Sequence, residues 1–61
     1  MTGASFLKWR TSRGLSQQGA SNALGWSKPS IQRYEREGKR QVPLYIALAC
    51  AALSFDLPPH P

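Results

Sequence analysis

Lys28, Gln32 and Arg36 recur at four-residue spacing, with Ser27, Pro29 and Arg33 beside them and Lys39 and Arg40 just beyond. At that spacing the first three share one face of a helix. Their chemistry is recognition: the glutamine amide donates and accepts, and the cations donate only. Such a row suits a partner that combines anionic oxygens with a pattern of donors and acceptors. Reaction chemistry has no comparable assembly. His60 stands alone in a Pro-rich tail, Cys50 sits in the most apolar stretch, and Glu35, Glu37 and Asp56 form no carboxylate pair with a companion base. There is no glycine-rich phosphate loop and no metal-ligand spacing. The sequence therefore predicts a binding protein, not an enzyme, with no cofactor, no metal and no small-molecule ligand.

Charge narrows the partner. Eight Lys and Arg residues face three acidic ones, a formal net charge of +5, which implies a polyanion or an anionic surface. The cations and the uncharged run over residues 42–53 lie on different segments, not on opposite faces of one helix, which argues against a membrane surface. That run is too short to span a bilayer. Lys8 and Arg10 interrupt the N-terminal apolar residues, so no signal peptide is expected, and a cytoplasmic location is. A single cysteine excludes an internal disulfide; Cys50 reads as a small buried hydrophobe. With 61 residues, 41% of them hydrophobic, the chain has enough apolar surface for one small folded core of modest stability.

Four helices must position these residues. Phe6 and Trp9, three apart, give residues 5–13 one apolar face, with Gly14 as a stop and Leu15 as the contact that follows. Ser16 caps a second helix running to Leu24, where Gly25 can turn left-handed; Gly19 in its first turn weakens it. Ser27 caps a third helix, residues 28–36, with Pro29 tolerated in its first turn and Gly38 beyond its end. Ile31, Tyr34 and Glu35 fall on its packing side and Lys28, Gln32 and Arg36 on its polar side. Pro43 is placed in the first turn of a fourth helix over residues 44–53, followed by a tail at 58–61 that cannot continue it. The expected fold is an all-α, compact four-helix domain over residues 1–57, with room for a short additional C-terminal turn.

Two helices joined through Gly25 and Trp26, the second polar on its outer face, fit the major groove, which is wide enough for one helix. The stretch Leu15-Ser16-Gln17-Gln18, with residues 25–35 and Gly38, resembles the Cro/repressor-type helix-turn-helix family of phage and bacterial transcriptional regulators. A looser likeness, through Pro43-Leu44-Tyr45 and Ala51-Ala52-Leu53, is to small anti-CRISPR-associated regulators. The first resemblance implies that Ser27, Lys28, Pro29 and Gln32 approach base edges with Arg33 nearby. It also implies that Gln17 touches phosphate and braces the third helix, and that Arg10 and Glu35 form an ion pair between the first and third helices. The clustering of Arg36, Lys39 and Arg40 around the third helix and its loop places them at phosphates. Ala20 and Ser21 stand where the family has a larger apolar residue followed by Ala, which thins the core there unless Trp26 fills it.

The fourth helix is apolar all round, more than a chain this short can cover by itself. A homodimer through Tyr45, Leu48, Ala49, Ala52, Leu53 and Phe55 is expected, on a double-stranded DNA operator with two-fold symmetry, acting as a repressor of its own promoter. The alternative is an antitoxin-like or phage accessory protein whose fourth helix binds a different protein.

Overall fold

A computed structural model describes residues 1–55, which form α1 (Gly3–Ser12), α2 (Gln17–Leu24), α3 (Lys28–Glu37) and α4 (Leu44–Ser54). The architecture is the expected all-α, four-helix one. Among the described residues the sole extended pairing is an isolated antiparallel bridge between Thr2 and Gln41. Leu57, any additional C-terminal turn and the tail at 58–61 lie outside the described residues.

α1 begins at residue 3, not residue 5. Thr2 is its cap, the Oγ1 accepting from the Ser5 amide at 3.1 Å. The next amides find loop carbonyls: Gly3 N–H donates to Arg40 O at 2.8 Å, and Ala4 N–H to Gly38 O at 2.9 Å. Free donors of the first turn, which need partners outside their own helix, thus hold down the α3–α4 connection. The approach requires a residue without a side chain, because a Cβ on Gly3 would overlap the Tyr34 carbonyl. Glycine is a poor helix former, so the sequence pattern alone starts the helix too late.

The other boundaries follow the expected chemistry. Gly14, at φ 71°, donates to Thr11 O at 3.0 Å and Leu15 N–H to Arg10 O at 3.1 Å, the two bonds of a Schellman turn, so α1 ends at Ser12 with Arg13 as its cap. Ser16 Oγ accepts from Gly19 N–H at 2.9 Å and opens α2. α3 runs one residue past the expected end, to Glu37. Pro43 sits just before α4, at the capping position and not within the first turn.

The core gathers Phe6, Ala20, Trp26, Ile31, Val42, Ile46 and Cys50. Ala20 leaves space on α2, and Trp26 from the turn is buried there, its ring edge-on to Phe6 at 5.4 Å and tilted on Tyr34 at 5.1 Å. Burial pushes the Cys50 thiol up to about 11, so it remains a protonated hydrophobe. Trp9 Nε1–H donates to Ser54 Oγ at 2.8 Å, which pins the end of α4 to α1.

Gly3→Ala tests this construction by its sign. In an unconstrained helix the change stabilises by about 1 kcal/mol. Here the overlap with the Tyr34 carbonyl should make it destabilising by about 1–3 kcal/mol, read as a lower urea midpoint. A midpoint that rises would contradict the close approach.

Candidate nucleic-acid interface

The third helix is held from behind by one carboxylate. Glu35 Oε2 accepts from Arg10 Nε at 2.7 Å and its Oε1 from Arg10 Nη2 at 3.0 Å, a two-bond clasp between α3 and α1. The remaining Arg10 donor, Nη1, reaches Leu15 O at 2.9 Å in the α1–α2 connection. Gln17 at the start of α2 donates its Nε2 to Glu35 Oε1 at 3.0 Å. Arg10 and Glu35 are 12% and 8% exposed at their side chains, so these bonds work with little competition from water.

This backing fixes the sense of two amides. Ionised Glu35 only accepts, so Gln17 must turn its Nε2 inward, leaving Oε1 toward α3. Gln32 Nε2 lies 3.5 Å from that oxygen, a contact at the limit of a hydrogen bond. Gln32 is exposed and keeps its own Oε1 and a second N–H for an outside partner. An acceptor beside a donor is the pair that matches adenine N6 and N7 in the major groove.

Ile31 is buried and Tyr34 and Glu35 are half-buried, while Pro29, Gln32, Arg33 and Arg36 are exposed along the opposite side of α3 and Lys28 is exposed at its first turn, on the edge of that side. The structure thus brings the expected reading residues onto one outer face. Ser27 stands at its N-terminal edge and is occupied by capping: its Oγ accepts from Ser30 N–H at 3.3 Å and lies 2.7 Å from Ser30 Oγ. Among the described residues Arg33, Arg36 and Lys39 have no ion-pair partner, and all three are exposed. On α1, Lys8 is exposed, and the Arg13 guanidinium lies 5.7 Å from the Trp9 ring centroid.

Two of the residues expected at phosphates have internal partners. Gln17 has Glu35. Arg40 Nη1 donates to Glu37 Oε2 at 3.0 Å, and its guanidinium stands over Tyr34 at 4.9 Å from the ring centroid. The hydrogen bond to Glu37, helped by that carboxylate's charge, raises the already high Arg40 pKa. Sequence reading missed this pair because Gly38 ends the helix between its members; the signal was the three-residue spacing of opposite charges.

The expected dimer residues divide. Leu44, Tyr45, Leu48 and Phe55 are 74%, 65%, 60% and 77% exposed. At about 100° per residue Leu44, Leu48 and Phe55 form one stripe, with Ala52 and Tyr45 on its flank. Ala49, Ala52 and Leu53 are half-buried, and Leu53 falls on the side opposite Leu44 and Phe55. Leu44 belongs to the stripe although its place beside Pro43 gave no sign of that in the sequence. Among the described residues no group of His, Cys, Asp and Glu could hold a metal ion, and no helix is long and apolar enough to cross a membrane.

Removing one member of the ion pair should cost far more than removing both. Arg10→Met leaves Glu35 without its main counter-charge and should lower stability by about 3 kcal/mol, whereas Arg10→Met with Glu35→Met should recover most of that loss. Urea unfolding of the two variants reads the difference. A single-variant loss below about 1 kcal/mol would show the pair to be effectively solvated.

Comparison with curated proteins and comparison with solved structures return no match. A family profile described as a helix-turn-helix domain matches residues 3–59. That span takes in α1 to α4, including the Gly25-Trp26 turn and the exposed face of α3. The chain belongs to this helix-turn-helix domain family and is a DNA-binding regulatory module.

Proposed function

We propose that the protein is a sequence-specific transcriptional regulator of the Cro/repressor type that reads double-stranded DNA in the major groove with α3. The observation that carries this reading is the outer face of α3. It presents Lys28, Pro29, Gln32, Arg33 and Arg36 to solvent while Glu35, on the inner side, is clasped by Arg10 and Gln17. A reading helix must be held rigidly if its side chains are to meet base edges in register. Gln32 pairs with adenine, Lys28 donates to guanine O6 and N7, and Pro29 offers only apolar contact, suited to a thymine methyl. Arg33 borders this set, and Ser27 marks its start. Arg36 and Lys39 meet phosphates, Gln17 joins them by sharing its internal partner, and Arg40 joins them only where a phosphate outcompetes Glu37. The protein acts in the cytoplasm, most simply as a repressor of its own promoter.

Gln32→Ala separates reading from positioning. It should weaken binding to a duplex selected from a random pool by about 1–3 kcal/mol more than it weakens binding to random DNA. Affinity should also fall steeply with salt, by about 0.9 in logarithmic slope for each phosphate contacted. Equal losses on selected and random duplexes would assign Gln32 to positioning, and a flat salt series would remove the phosphate footprint.

The dimer reading rests on the exposed stripe of α4, where Leu44, Tyr45, Leu48 and Phe55 carry no charge on a chain of net charge +5. A two-fold contact would use the same stripe on both copies and set two α3 helices about 34–36 Å apart, one DNA turn, for an operator with matching symmetry. Pro43, Leu44 and Tyr45, which carry the looser likeness to anti-CRISPR-associated regulators, begin this helix and bear on the partner and not on the DNA. In sedimentation at high micromolar concentration the wild type should run as a dimer, and Leu48→Asp as a folded monomer by circular dichroism. A monomeric wild type would contradict the dimer and leave the stripe to a different protein, as in the antitoxin-like reading.

A further inference from the structure

Glu37 is the one exposed carboxylate among the described residues, and its position is unfavourable. It is the last residue of α3, where unpaired carbonyls concentrate negative partial charge and a cation is the stabilising choice. Its ion pair with Arg40 is about half exposed on both sides, and such pairs contribute little to stability. What the pair does is restrain a cation. The Arg40 backbone is held by the bond from Gly3 N–H to its carbonyl, and its guanidinium by Glu37 on one side and the Tyr34 ring on the other. Lys39, one residue earlier in the same loop, has no such restraint among the described residues.

We propose that Glu37 is a specificity-determining residue: it holds Arg40 against Tyr34 and so withholds one cation from sequence-independent phosphate binding. The proposal rests on the reading of α3 and its following loop as the DNA-facing surface. A phosphate contact strengthens binding to every sequence alike, whereas discrimination depends on the ratio of selected to random affinity. A phosphate can recruit Arg40 only in competition with the carboxylate and the ring that hold its guanidinium. Lys28, Arg33, Arg36 and Lys39 meet no such barrier. The carboxylate therefore suppresses random binding without touching the groups that read bases, the repulsive element that specific recognition uses beside its attractive ones.

The test is a double-mutant cycle of Glu37→Gln and Arg40→Gln, with salt series on random and selected duplexes and salt elution from immobilised heparin. Glu37→Gln should steepen the logarithmic salt slope on random duplex by about 0.9, so that a fourfold drop in salt raises its affinity about 3.5 times more than it raises that of wild type. The ratio of selected to random affinity should fall, and elution from heparin should need more salt. In the Arg40→Gln background, Glu37→Gln should leave the slope unchanged. An unchanged slope in the wild-type background, or an equal gain with and without Arg40, overturns the proposal: in the second case Glu37 acts as a plain negative charge. The heparin arm separates this failure from failure of the DNA reading. An Arg40-dependent shift on heparin with no duplex binding by any variant would keep the restraint on Arg40 and discard the duplex as its target. Circular dichroism of each variant checks folding, which the loss of an exposed pair leaves intact.

Discussion

The Arg10–Glu35 ion pair is the constraint on which the rest of the molecule depends. One guanidinium bonds the third helix through two donors and the α1–α2 connection through a third, while the same carboxylate takes the Gln17 amide from α2. Three helices are thereby indexed to one another by charge-assisted bonds whose geometry is directional, in a domain whose apolar core is small. Apolar packing of Phe6, Trp26 and Ile31 supplies cohesion but tolerates sliding by fractions of an ångström. The clasp sets the angle at which α3 projects. It also fixes the sense of the Gln17 amide, whose Oε1 lies 3.5 Å from Gln32 Nε2.

A second device works just beyond the C-terminal end of α3. The N-terminal turn of α1 donates its amides to the carbonyls of Gly38 and Arg40, which ties the basic loop to the start of the chain. The third helix is therefore held in its last turn by Glu35 and beyond its C-terminus by the backbone of residues 2–4. Small domains bury too little surface to hold loops by packing alone, and these polar ties do the work that a larger core would do elsewhere. The uncovered stripe on α4 belongs to the same economy of size, since a 61-residue chain has no further helix among its described residues to lay over it.

Legibility from sequence followed the locality of each interaction. The caps Ser16 and Ser27, the left-handed Gly25 and the split of α3 into an inner Ile31–Tyr34–Glu35 side and an outer Lys28–Gln32–Arg36 side depend on neighbours within a turn or two, and could be read directly. The start of α1 could not, because Gly3 is held in the helix by the distant Arg40 carbonyl, with its lack of a Cβ required by Tyr34, and not through its own propensity. The Arg40–Glu37 pair was hidden by the chain reversal at Gly38, which brings Arg40 back toward the helix it has left. The bond from Gln17 to Glu35 needed the relative placement of α2 and α3. The stripe on α4 was visible as uncharged, but which of its residues face outward depended on where α1 to α3 pack. Leu44 therefore joins it, and Leu53 falls on its far side.

We propose that the outer face of α3, held from behind by Glu35, is the surface that meets DNA, and amide chemical-shift mapping during titration with a duplex selected from a random pool decides the point. The largest changes should fall on residues 27–37 and the loop at 38–40, with the Leu44–Leu48 stripe of α4 undisturbed by the DNA. Changes concentrated on α4 or on the outer side of α1, with α3 unmoved, would contradict it.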